Sequence, residues 1–144
     1  MINSVTQDWL IRPMGIFQLM DYVGLDVCRH ISHIMHKYLK DEYLSCNLVE
    51  EMVRRKFWAV NVRTELKRRF FLYGKQGPIG IYSFEQDKYI PLPENIEKVL
   101  GALPQGHLSW KKLQKEPHKE AVLQSYLDKL YAQQTLGAQL AQAF

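Results

Sequence analysis

A proline and a glycine fix where the chain between Arg12 and Asp26 is helical and where it is not. Pro13 presets a first helical turn, and Ile16, Leu19, Met20 and Val23 then repeat at i, i+3, i+4, i+7. Gly24 stands where a left-handed residue ends a helix, and Asp26 puts a carboxylate at the start of the next one. The first helix is therefore expected over residues 15–23. The second starts near Asp26 and carries Val27, Ile31, Ile34 and Tyr38 at i, i+4, i+7, i+11. So short a connection makes the pair a helical corner, and its two apolar stripes predict a buried helical hairpin.

The remaining pattern is mainly α with one β insertion. Residues 1–12 show no period of their own, although Trp9 and Ile11 need a surface to cover them. A third helix is predicted from an N-cap at Asn47, with Glu50 and Glu51 in its first turn and Arg54, Arg55 and Lys56 in its last. From Phe70 the period shortens: Phe70 to Tyr73, a Gly74-to-Pro78 turn, then Ile79 to Phe84 read as strand, turn, strand. A turn at Glu85-Gln86-Asp87 leads to a short third strand, Lys88-Tyr89-Ile90. Beyond Pro91 and Pro93, Ile96, Val99, Leu100 and Leu103 form a helical face, closed by Pro104-Gln105-Gly106. Ser109 is placed to cap a segment from Trp110 to Gln114. Pro117 is placed to open a long helix carrying Leu123, Tyr126, Leu127, Leu130 and Tyr131. A break near Thr135 to Gly137 precedes a small-residue tail. The expected organisation is one domain: a helical core over 1–69, a β hairpin or meander over 70–91 and a helical extension over 92–144.

Composition narrows the class. A chain of 144 residues is long enough for a real core, and 47% hydrophobic content argues against disorder. No apolar run approaches the roughly 20 residues of a membrane span. The first residues carry no secretory pattern, so a cytoplasmic protein is expected, with Cys28 and Cys46 reduced. The net charge of +4 is concentrated in Arg54, Arg55, Lys56, Arg63, Lys67, Arg68, Arg69 and Lys75. Such a cluster suits phosphates, but no recognition helix accompanies it, so nucleic acid is not the expected partner.

No catalytic or metal-binding set emerges. Gly74-Lys75-Gln76-Gly77 lacks a third glycine and a following helix, and reads as a hairpin turn rather than a dinucleotide loop. His30, His33 and His36 drift around their helix and have no acidic or cysteine partner to complete a metal site; they read as polar flank positions. Asp41-Glu42 and Glu50-Glu51 are sequence neighbours, which diverge on a helix. The chain reads as a scaffold or binding module.

The run Pro13-Met14-Gly15-Ile16-Phe17-Gln18-Leu19-Met20-Asp21-Tyr22-Val23-Gly24-Leu25-Asp26 resembles one in 3-hydroxyacyl-CoA dehydrogenases. There, Pro-Met-Gly-Pro-Phe-Glu-Leu-x-Asp-x-Val-Gly-Leu-Asp opens the second helix pair of the C-terminal domain. Ile16 replaces a proline and Gln18 a glutamate. Asn47 to Val53 is similar to the leucine-valine-rich helix that follows. The Gly-Phe-Tyr-x-Tyr signature aligns with Phe70-Phe71-Leu72-Tyr73, with Arg69 for the glycine, or else with Gly80 to Phe84.

The resemblance implies a helical 6-phosphogluconate-dehydrogenase-C-terminal-like domain with the small antiparallel meander at 70–90. It implies an acyl-CoA substrate, a homodimer, and an NAD-binding domain with the catalytic groups upstream of these residues. The complete enzyme would oxidise a 3-hydroxyacyl-CoA, or more narrowly 3-hydroxybutyryl-CoA, by hydride transfer to NAD in fatty-acid metabolism. This chain alone would be inactive, with no catalytic, cofactor-binding or metal residues. Pro13, Met14, Gly15 and Phe17 are the candidate substrate-facing residues, Met14 because a thioether adapts to an acyl chain. The competing reading is a structural helical oligomerisation module that does not bind acyl-CoA.

Overall fold

The computed structural model describes residues 1–40, 47–57, 68–75 and 77–144. Cys46, the Asp41-Glu42 pair, Arg63, Lys67 and Gln76 lie outside the described residues. The chain divides into two compact units, one of Met1–Ile16 with Pro93–Phe144 and one of Phe17–Leu92.

The first unit begins with a single helical turn, α1 (Ile2–Ser4), that widens into a π-helical turn over Val5–Trp9. The widening shows in i to i−5 bonds: Leu10 N donates to Val5 O (3.2 Å) and Arg12 N to Gln7 O (2.8 Å). The unit then takes in α5 (Ile96–Leu100), α6 (Trp110–Leu113), α7 (Lys119–Ala132) and α8 (Leu136–Gln142). Its core joins Val5, Trp9 and Ile11 to Leu100, Leu113, Tyr126, Leu130, Ala138 and Ala141. The aperiodic N-terminal residues thus find their cover in the C-terminal helices. Gly101 ends α5 at φ 86, two residues before the expected last member of the stripe, Leu103. Ser109 precedes α6 without a side-chain cap bond, and α7 starts at Lys119, past Pro117. The expected tail is instead a helix: Thr135 caps α8, its Oγ1 accepting from Ala138 N at 3.3 Å.

The second unit holds α2 (Ile16–Val23), α3 (Leu25–Leu39), α4 (Asn47–Arg54) and an antiparallel sheet. Its strands β1 (Phe71–Gly74), β2 (Gly77–Ser83) and β3 (Lys88–Pro91) lie in sequence order. The register pairs Phe71 with Ile81 and Tyr82 with Tyr89, and shifts between Leu72 and Tyr73. The mainly helical fold with a three-stranded meander agrees with the sequence pattern. Gly24 separates α2 from α3, so the break falls where expected, but at φ 108 and ψ 135 the glycine is not in the expected left-handed helical conformation. A fork fastens α3 to α4: Arg29 Nε donates to Glu50 Oε2 (2.8 Å), and His33 Nε2 lies 2.6 Å from Glu50 Oε1. The core consists of Leu25, Val49, Met52, Phe57, Phe70, Phe71 and Tyr82.

Two expectations fail in detail. Pro13 does not open α2, which starts at Ile16, where Thr6 Oγ1 accepts from Ile16 N at 2.9 Å. A hydroxyl ten residues upstream therefore satisfies the first helical amide. The helical corner is also not buried all round: Leu19 is 41% exposed, Tyr22 72%, Ile31 47% and Tyr38 73%. The inward side of α2 carries Phe17, Met20 and Asp21 rather than the Ile16-Leu19-Val23 stripe.

One glycine sets the packing of the first unit. A Cβ on Gly137 would overlap the indole of Trp9, which is itself buried. A helical glycine ordinarily gains up to about 1 kcal/mol on replacement by alanine. Here overpacking reverses the sign, and Gly137→Ala is expected to cost about 1–3 kcal/mol. Scanning calorimetry checks this as a drop in Tm; an equal or higher Tm would refute the close approach.

Candidate functional site

The family-like segment starts as irregular backbone and ends as helix. Pro13 is exposed, Met14 half-buried and Gly15 buried, all in the first unit. Gly15 has no room for a side chain, because a Cβ would overlap Asn3. Pro13 and the exposed Arg12 border a cleft that is also lined by His107, Ser109, Trp110 and Lys111.

Phe17 belongs to the second unit and is half-buried, its ring 4.6 Å from that of Phe70. Of the four candidate residues, the structure thus groups Pro13, Met14 and Gly15, and seats Phe17 against the start of the sheet.

One helical turn after Phe17 lies a residue that the sequence pattern did not single out. Asp21 is buried, and both carboxylate oxygens are occupied: Oδ1 accepts from Phe70 N (2.7 Å), Oδ2 from Phe71 N (3.0 Å) and from the Tyr73 hydroxyl (3.1 Å). The guanidinium of Arg69 stands 5.7 Å over the Tyr73 ring. Tyr89 closes the same corner, its hydroxyl donating to Arg69 O (2.9 Å) and accepting from Arg69 N (3.0 Å). The available signal was a lone carboxylate on the Phe17-Met20 side of an otherwise apolar helix; pattern alone cannot supply its partners, some fifty residues away.

Burial pushes the Asp21 carboxyl above its ordinary 3.8, while the two amides, the Tyr73 hydroxyl and Arg69 pull it down without prevailing. Burial and the adjoining carboxylate push the Tyr73 hydroxyl up as well. The arrangement is a backbone clamp, with every oxygen engaged by protein donors.

The turn between Gly74 and Gly77 is not a dinucleotide cradle. Gly74 and Gly77 flank the turn between two antiparallel strands, so no strand leads from them into a helix whose amides could face a pyrophosphate. Among the described residues no group of three His, Cys, Asp or Glu side chains could hold a metal ion. His33 is engaged by Glu50, and Cys28 is a free, half-buried thiol. No described helix is long and apolar enough to cross a membrane.

Compared with known families, residues 1–61 match the family model described as 3-hydroxyacyl-CoA dehydrogenase, C-terminal domain. The match bears out the resemblance read from Pro13 to Asp26 and spans α1 to α4, leaving the sheet and α5 to α8 outside it. No curated protein and no solved structure matches the chain.

The clamp predicts a large effect from a small change. Asp21→Asn keeps the shape but turns one acceptor into a donor that faces protein donors, at an expected cost of about 1–3 kcal/mol. The pH dependence has a definite sign. With its folded pKa above the unfolded value, Asp21 contributes fully below about pH 3.8 and less as pH rises through the folded value. Urea titrations between pH 3 and 7 should show a flatter pH profile for Asp21→Asn; parallel profiles would contradict the assignment.

Proposed function

We propose that this chain supplies the substrate-binding and dimerisation domain of an NAD-dependent 3-hydroxyacyl-CoA dehydrogenase of fatty-acid metabolism. In the narrower form of the reading the substrate is 3-hydroxybutyryl-CoA. The family match over residues 1–61 carries this reading. The oxidation itself is assigned to the NAD-binding domain of a cytoplasmic enzyme, outside these 144 residues, because the family model matched is that of a C-terminal domain. Pro13, Met14, Gly15 and Phe17 are assigned to the acyl-CoA pocket wall. Their support is that Gly15 is held against Asn3 within the first unit and Phe17 against Phe70 within the second.

The dimer assignment draws on a different observation. Tyr22, Ile31, Ile34 and Tyr38 leave the helical corner with an exposed apolar face, and contiguous faces of that kind mark interaction sites. Taken alone, this face also favours the simpler reading of a helical oligomerisation module.

Three measurements test the proposal. The isolated chain is expected to be dimeric by light scattering, with Ile31→Glu shifting it to monomer; a monomeric wild type would reject the dimer assignment. Calorimetric titration with acetoacetyl-CoA is expected to show binding, and a dimer that binds none would leave only the oligomerisation module. An NADH-formation assay with 3-hydroxybutyryl-CoA is expected to show no turnover by the chain alone; turnover would overturn the assignment of chemistry elsewhere.

A further inference from the structure

Backbone irregularity in the first unit converges on one place, the cleft of about 250 Å³ between the π turn and residues 107–111. The π turn presents Gln7 and Asp8 to it. Ile11, which follows the turn, is held at φ 48, a conformation that β-branched residues rarely adopt. Widened helical turns and left-handed β-branched residues are both costly, and both cluster where a protein shapes a binding surface.

The strained turn is braced from outside. His107 Nε2–H donates to Asp8 O at 2.9 Å, and the Tyr126 hydroxyl donates to Trp9 O at 2.8 Å. The rings of His107 and Tyr126 lie 6.0 Å apart, edge to face. These contacts occupy two carbonyls of the widened turn, so the wall of the cleft is built rather than loose.

The side chains around the cleft divide into three chemistries. Arg12 and Lys111 are exposed cations, and among the described residues neither has an acidic partner. Trp110 leaves 38% of its surface open, a large aromatic platform beside them. Asp8 supplies an acceptor, flanked by His107 and Glu97. A bare phosphate would use only the cations and would be opposed by Asp8. A ligand with a phosphate, a flat ring and hydroxyl or amino donors uses all three.

We propose that this cleft binds a nucleoside diphosphate: Arg12 and Lys111 engage the phosphates, Trp110 stacks on the base, and Asp8 accepts from the nucleoside's hydroxyl or amino groups. The inference shares Pro13 with the acyl-CoA reading but does not rest on it, because His107 to Lys111 lie outside the family match.

The test is calorimetric titration of the full chain with ADP, adenosine, inorganic phosphate and acetoacetyl-CoA. ADP should bind at least about tenfold more tightly than adenosine or phosphate. Arg12→Gln and Trp110→Leu should each weaken ADP by about tenfold with unchanged circular dichroism, while Lys119→Gln leaves it alone. No ADP binding at millimolar concentration would overturn the proposal. So would phosphate binding as tightly as ADP, indifference to Trp110→Leu, or an equal loss from Lys119→Gln. Because acetoacetyl-CoA itself carries an adenosine diphosphate, the variants separate the two readings: acetoacetyl-CoA binding that survives Arg12→Gln and Trp110→Leu belongs to the acyl-CoA wall, and binding lost together with ADP binding belongs to the cleft. ADP binding without acetoacetyl-CoA binding keeps the cleft and removes the acyl-CoA assignment; acetoacetyl-CoA binding without ADP binding does the reverse.

Discussion

The second unit hangs on a carboxylate. Asp21 takes the amides of Phe70 and Phe71, two consecutive backbone donors that enter the core just where β1 begins. Buried amides must find acceptors, and a helix that has spent its own carbonyls on itself can offer only a side chain. Asp21 serves because it lies one turn beyond Phe17, so the ring that packs on Phe70 and the carboxylate that binds its amide project from the same side of α2. Once β1 is seated, the register carries the hold onward through Phe71–Ile81 to Tyr82–Tyr89. Tyr82 and Phe57 then meet edge to face at 4.9 Å, which draws the end of α4 into the same core.

This dependence explains which features could be read from the sequence. Periodicity and punctuation located α2, α3 and the three strands because those signals are local: Gly24 marks a break whatever surrounds it. The inward side of α2 was not local information. Ile16, Leu19, Met20 and Val23 make the better apolar stripe, yet Asp21 turns the helix so that Leu19 and Val23 are exposed. Two backbone bonds and a tyrosine bond to one buried carboxylate outweigh the burial of a leucine and a valine. The start of α2 was hidden for a similar reason, since its first amide is met by Thr6, a residue with no helical relation to it. The π turn was illegible in principle. Val5 and Trp9 stand four apart, a spacing that an ordinary helix would also present.

The candidate segment passes from the first unit into the second, and each part is held within its own unit. Thr6 and Asn3 fix the turn at Gly15 and Ile16, while Asp21 and Phe70 fix the helix that leaves it. A binding wall needs its side chains held by packing rather than by the ligand. Met14 is half-buried, between the exposed Pro13 and the buried Gly15.

Charge density in the sequence pointed away from the cations that line the cleft. The densest basic run begins at Arg54 and Arg55, but both are taken up by Glu51 at 2.7 and 2.6 Å, within the same helix or just past it. Arg55 also stands 5.3 Å over the ring of Phe84. Those arginines serve helix and sheet. Arg12 stands alone in sequence and Lys111 opens the short Lys111-Lys112 pair far along the chain, yet the fold brings both to one cleft, where among the described residues neither has an acidic partner. An isolated cation beside strained backbone and an open indole is poorly explained as surface decoration. Among the described residues Arg12 and Lys111 form no ion pair, whereas buried Ile11 beside them belongs to the core of the first unit.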